Sequence, residues 1–86
     1  MIEISFKPSF VRQAKCLEED LRVEVLEKIE LFRDKKNHLA LKVHKLHGAL
    51  ADCWSFSVNY KTRIVFRYET RDEVILLAIG DHGVYN

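Results

Sequence analysis

Residues 2–6, "IEISF", alternate apolar and polar side chains with a period of two, which predicts an edge or half-buried strand. Pro8 follows and fits the first turn of a helix, where its missing N–H has no intrahelical partner to lose. Phe10, Ala14, Leu17 and Leu21 then recur at helical spacing, and Val25, Ile29 and Phe32 form a second such series. The pattern predicts two amphipathic helices behind the strand; it leaves open whether they break near "EED" or run together, and Asp20 suits the N-cap of the second. Residues 34–52 are polar and basic without a sustained helical face. They read as an exposed connection, extended around Leu41 to Leu46, with Gly48 at a turn.

Three strand-like runs complete the pattern: "CWSFSV", "TRIVFRYE" and "EVILLAI", the last two joined through the polar turn "TRDE". Trp54, Phe56 and Val58 fall on one face of their run and Ile64, Phe66 and Tyr68 on one face of theirs, and that face should receive the helices. "VILLAI" is apolar on both faces, as a strand in the middle of a sheet would be. The expected architecture is an α+β two-layer sandwich: an N-terminal strand, two helices and an antiparallel three-strand meander. Residues 1–86 are read as a single domain, without repeats or low-complexity tracts.

Composition changes this picture little. With 48% apolar and 31% charged residues the chain is an ordinary globular one. No stretch approaches the roughly 18 uninterrupted apolar residues of a membrane helix, and the first residues lack a secretion-signal pattern, so a cytoplasmic protein is expected. Cys16 and Cys53 form no CxxC pair and read as reduced, largely buried small hydrophobes. The net charge of +1 hides an asymmetry: residues 1–34 carry eight acids and six bases, residues 35–86 five acids and eight bases. All four histidines also lie in the second part, which is where an anionic partner would bind.

If the aromatic residues of "TRIVFRYE" face the helices, Arg63, Val65 and Arg67 face away, as do Ser55 and Ser57 on the preceding run. Two arginines and two serines, rimmed by His44, Lys45 and His47, suit phosphate binding through the planar guanidinium fork. A solvent-facing sheet that keeps charges for solubility has the same composition. His82, flanked by Gly80 and Gly83, carries the one side chain type that takes and gives protons near neutral pH. On its own a histidine near a C-terminus is more often surface decoration than catalyst, and a lone Tyr85 more often a packing or docking aromatic than an acid. His44-x-x-His47 lacks further ligands at metal spacing, so no metal or other cofactor is expected.

"HKLHGAL", "WSFSVNYKTRIVFRY" and "VILLAIGDHGVY", in that order, resemble the RelE/ParE superfamily of toxin–antitoxin toxins, particularly its RelE-, YafQ- and YoeB-like mRNA interferases. "ISFKPSFVRQAKCL" resembles that family's opening strand and helix, so the likeness spans nearly the whole chain. It implies the two-layer RelE-like fold and a metal-independent endoribonuclease. Such an enzyme cuts mRNA on the ribosome by attack of a 2′-hydroxyl, leaving a 2′,3′-cyclic phosphate, and a cognate antitoxin silences it. By this resemblance Arg63 holds the phosphate, His82 is a general acid or base, Tyr85 orients the substrate and His44 matches a YafQ-like active-site histidine. Lys45, His47, Lys61, Arg67, Ser55 and Ser57 make up the expected substrate-binding set. Ser55 and Ser57 stand where RelE itself has two lysines, and Thr62 where the family often has an aromatic residue, so activity would rest on histidine. The same family fold also serves ParE-like inhibition of DNA gyrase, and a toxin homologue that binds its antitoxin with weak catalysis is a third implied reading.

Overall fold

The computed structural model of the protein describes residues 1–81. Strand β1 (Glu3–Phe6) leads into α1 (Pro8–Lys15) and α2 (Glu19–Phe32), followed by β2 (His44–Lys45), β3 (Trp54–Ser57), β4 (Arg63–Thr70) and β5 (Glu73–Gly80). Short 3₁₀ turns at Lys35–Asn37 and Gly48–Leu50 lie on either side of β2. The strands form one five-stranded sheet in the order β1-β5-β4-β3-β2. The meander β3-β4-β5 is antiparallel as expected. Two further pairings widen it: β1 runs parallel to β5, and β2 adds antiparallel to the outer edge of β3.

The two helices do break. Cys16 closes α1 and is exposed there rather than buried as expected, because it caps the helix end, and the chain re-enters a helix through Glu18, whose extended backbone makes it the N-cap. Asp20 is therefore not the cap; it lies with Glu19 in the first turn, where a carboxylate still favours the positive end of the helix dipole. The guanidinium of Arg22 closes the break by donating to the Leu17 carbonyl at 2.9 Å.

Phe32, at the end of α2, is fully buried. Its ring stacks on Phe56 at 4.4 Å between centroids and meets the edge of Phe66 at 4.8 Å, so one helical residue ties α2 to β3 and β4. His38 stacks on the same ring at 4.7 Å, and its Nε2 lies 2.8 Å from the Phe32 carbonyl. A carbonyl only accepts, so Nε2 carries the proton and His38 is a structural clamp on the helix end. Phe56, Val58, Ile64 and Phe66 join the core, with Trp54 and Tyr68 packed against it, which is the face the alternation predicted.

The other face departs from expectation. Leu46, Cys53 and Val65 are buried there, with Leu50, Leu77 and Ala78 packed around them. The connection after β2 folds back over the sheet, held by Leu46 N–H donating to the Cys53 carbonyl at 2.9 Å. This second cluster covers part of a face that composition marked as polar. Burial pushes the Cys53 thiol above its usual range, and the neighbouring Asp52 carboxylate adds to the shift. A register shift opposite Val65 and Phe66 explains how β5 serves both layers: Val65 pairs with Ala78 but Phe66 with Leu76, so Leu77 is an extra residue. Ile79 thereby returns to the core face and Gly80 comes opposite Arg63.

Candidate functional site

Arg63 begins β4, with Ser57 opposite it on β3 and Gly80 opposite it on β5. It is half-buried, and its Nη1 donates to the Asn59 carbonyl and, at 3.3 Å, to that of Thr62. The loop that offers these carbonyls is itself stiff. Asn59 Oδ1 accepts from the N–H groups of Lys61 and Thr62 at 2.9 and 2.8 Å, an Asx turn, and Val58 N–H donates to the Thr62 carbonyl at 2.9 Å. Asn59 Nδ2 donates to Glu24 on α2 at 2.8 Å. The helix thus fixes the loop, and the loop fixes the guanidinium. Among the described residues the contacts of the guanidinium are all made by Nη1, and Nε and Nη2 have no partner.

His44 lies opposite Ser55 in β2, and Ser55 lies opposite Val65, so His44, Ser57 and Arg63 share one face. On ideal sheet spacing the α-carbons of His44 and Arg63 are about 12 Å apart, close enough for both side chains to reach one phosphodiester. His44 is exposed, and its Nδ1 lies 2.8 Å from the Lys42 carbonyl. Because that carbonyl can only accept, Nδ1 carries the hydrogen. In the neutral ring Nε2 is then the proton acceptor. Lys42 itself adopts a left-handed backbone, φ 58°, which turns its carbonyl toward the imidazole.

The remaining expected residues are dispersed. Ser55 is fully buried, so its hydroxyl does not form part of a substrate surface, although its position in the sheet is the expected one. Lys45 pairs with Trp54 and shares that residue's side of the sheet, opposite to His44. Arg67 lies four residues along β4 from Arg63, about 13 Å on strand geometry, where its guanidinium pairs with Glu69 at 3.4 Å. His47 is exposed ahead of the turn at Gly48, whose φ of +74° favours glycine. Lys61 is exposed beside Thr62 and Gly80. His82 and Tyr85 lie outside the described residues; the last described backbone before them runs from Gly80, opposite Arg63, to Asp81.

Sequence reasoning missed Asn59, although "NYKT" between two strands is the composition of an Asx turn. It also passed over an apolar groove of about 260 Å³ between the helices, lined by Phe6, Phe10, Val11, Ala14, Leu26 and Ile29 and bordered by Lys15 and Arg22. Phe6 and Leu26 are 43% and 57% exposed, a large apolar commitment for a surface. Among the described residues no group of three or more His, Cys, Asp or Glu side chains gathers at metal distance, and no helix is long and apolar enough to cross a membrane.

Neither a protein-family model nor a curated protein sequence matches this chain. Solved structures do. A copper-bound mutant toxin from Helicobacter pylori superposes over 100% of both chains with a TM-score of 0.71 at 22% identity. The toxin–antitoxin complex RelBE2 from Mycobacterium tuberculosis matches with a TM-score of 0.71 and 17% identity over 94% of this chain and 98% of that one. YafQ from E. coli matches with a TM-score of 0.72 and 11% identity over 98% and 97%. The architecture of β1, the helix pair and the five-stranded sheet is therefore the RelE-type toxin fold.

Proposed function

We propose that this protein is the toxin of a type II toxin–antitoxin pair and a ribosome-dependent, metal-independent mRNA endoribonuclease. The observation that carries the reading is the loop-anchored Arg63, on the same sheet face as an imidazole whose Nε2 is presented as a proton acceptor. Cleavage by a 2′-hydroxyl needs a base for that hydroxyl, a cation for the charge growing on the phosphate, and an acid for the 5′-oxygen that leaves. His44 Nε2 takes the 2′-OH proton and the open side of the Arg63 fork holds the phosphate oxygens. His82, two residues beyond the backbone opposite Arg63, returns a proton to the leaving oxygen, and Tyr85 orients the substrate. His47 and Lys61 add positive charge at the margins.

The fold neighbour from M. tuberculosis is a toxin–antitoxin complex, which supports an antitoxin partner here. Its docking place is the groove between α1 and α2, where the partner's apolar side chains cover Phe6 and Leu26 and its acidic groups meet Lys15 and Arg22.

The deciding experiment maps mRNA ends by primer extension after incubation with programmed ribosomes. Discrete cuts that disappear in the Arg63→Ala, His44→Ala double variant support the reading. Intact mRNA together with inhibition of gyrase supercoiling replaces it with ParE-like action.

A further inference from the structure

On the α2 side of Arg63 the surface opens into a cleft of about 220 Å³ lined by Lys28, Lys42, Ser57, Asn59 and Tyr60. Two of these residues also hold Arg63: Ser57 is its cross-strand partner, and the Asn59 carbonyl accepts from its guanidinium. Arg63 does not itself line the cleft, but Ser57 and Asn59 adjoin both.

Tyr60 is 87% exposed, at the tip of the loop that the Asn59 turn and Glu24 stiffen. An aromatic ring held in water on a rigid loop contributes nothing to the core, and its face is open to another flat group. Lys28 approaches from α2 and Lys42 from the turn before β2, with Lys61 next to the ring in sequence. Among the described residues, none of these three ammonium groups is in an ion pair. An unburied aromatic face among unpaired cations is the chemistry of single-stranded nucleic-acid binding: a base stacks on the ring while the cations follow the backbone.

We propose that Tyr60, Lys28 and Lys42 form a nucleotide subsite for single-stranded RNA beside Arg63, with a base stacked on Tyr60 and its flanking phosphate between the two lysines. The subsite deepens the ribonuclease reading and rests on it for its place next to the scissile phosphate. The stacked base belongs either to the messenger or to ribosomal RNA, which present the same chemistry.

The test measures fluorescence anisotropy on two probes: a labelled, fully 2′-O-methylated single-stranded RNA, which offers no nucleophile and cannot be cut, and ribosomes without mRNA. The parent is compared with Tyr60→Phe, Tyr60→Ala and the Lys28→Glu, Lys42→Glu pair. Tyr60→Ala should weaken binding about tenfold and Tyr60→Phe should retain it. The lysine pair should flatten the salt dependence. Loss on the oligonucleotide assigns the base to the messenger, and loss on vacant ribosomes alone assigns it to ribosomal RNA. Unchanged binding of Tyr60→Ala to both probes, or no binding by the parent to either, overturns the proposal. Because Tyr60 is exposed, its variants should melt with the parent. A parent that binds through Tyr60 yet leaves programmed mRNA intact supports the subsite and overturns the ribonuclease reading alone.

Discussion

Arg63 donates its Nη1 hydrogen to the backbone carbonyl of Asn59, four residues earlier in the chain. The guanidinium is therefore oriented before any ligand arrives, by a loop that is bound to α2 through Glu24. Arg63→Lys keeps the charge but loses the fork. It should lower the rate of mRNA cleavage by about 10²-fold. The stability change should stay within about 1.5–3 kcal/mol, the net worth of a hydrogen bond from a charged group. Single-turnover cleavage and urea melts separate the two effects; cleavage by Arg63→Lys at the parental rate would remove the arginine from the chemistry.

Asn59→Ala removes the acceptor of two backbone N–H groups and the donor to Glu24. We expect about 1–3 kcal/mol of destabilisation. Cleavage should also slow, because the carbonyl that holds Arg63 is then on a looser loop. Hydrogen exchange at the Lys61 and Thr62 amides reports the loosening directly. Protection equal to the parent's at both sites would show that the side chain does not hold the turn.

Phe32 packs against two strands and His38 at once. Phe32→Ala should cost about 3–5 kcal/mol, a large share of the roughly 5–15 kcal/mol available to a domain of this size. A thermal melt lowered by only a few degrees would show that the core closes over the gap.

Lysine should be accepted at position 57 and rejected at position 55. Ser55 is fully buried, and an ammonium there would lose its hydration and overfill a space packed for a hydroxymethyl group, whereas Ser57 is half-buried beside the cleft. Ser55→Lys should destabilise by several kcal/mol, and Ser57→Lys should melt near the parent. Equal melting temperatures for the two variants would contradict the placement of Ser55.

Lys35 and Asp72 lie 2.9 Å apart and tie the turn after α2 to the β4-β5 hairpin. The hydrogen bond from the Lys35 ammonium, reinforced by its charge, holds the Asp72 carboxyl below the usual carboxylate range. A depressed folded-state value means that the ionised carboxylate stabilises the fold above its unfolded value and loses that effect as pH falls through the folded one. The melting difference between the parent and Asp72→Asn should therefore be present at neutral pH, shrink below the ordinary carboxylate range, and narrow with added salt. A difference that grows on acidification would contradict the pairing.

The local elements were legible because each depends on nearby residues. The period of two in "IEISF" and "TRIVFRYE" and the helical spacing from Phe10 to Phe32 placed β1, β4, α1 and α2, and Arg63 was named from the alternation of its own strand. Long-range pairing was not legible. A four-residue strand carries no mark that it will run parallel to one seventy residues later, and two residues, His44 and Lys45, are too few for any periodicity. Only the tertiary structure decided that His44 would stand on the Arg63 face while Lys45 took the other. It also decided that Ser55 would be fully buried, that a second apolar cluster would form on that face, and that a carbonyl of Asn59 would aim the arginine. The sequence determines which chemical groups are present and how each segment prefers to bend. Which of them meet is set by the burial of Phe32, Phe56 and Phe66 together, a cooperative contact among residues far apart in the chain.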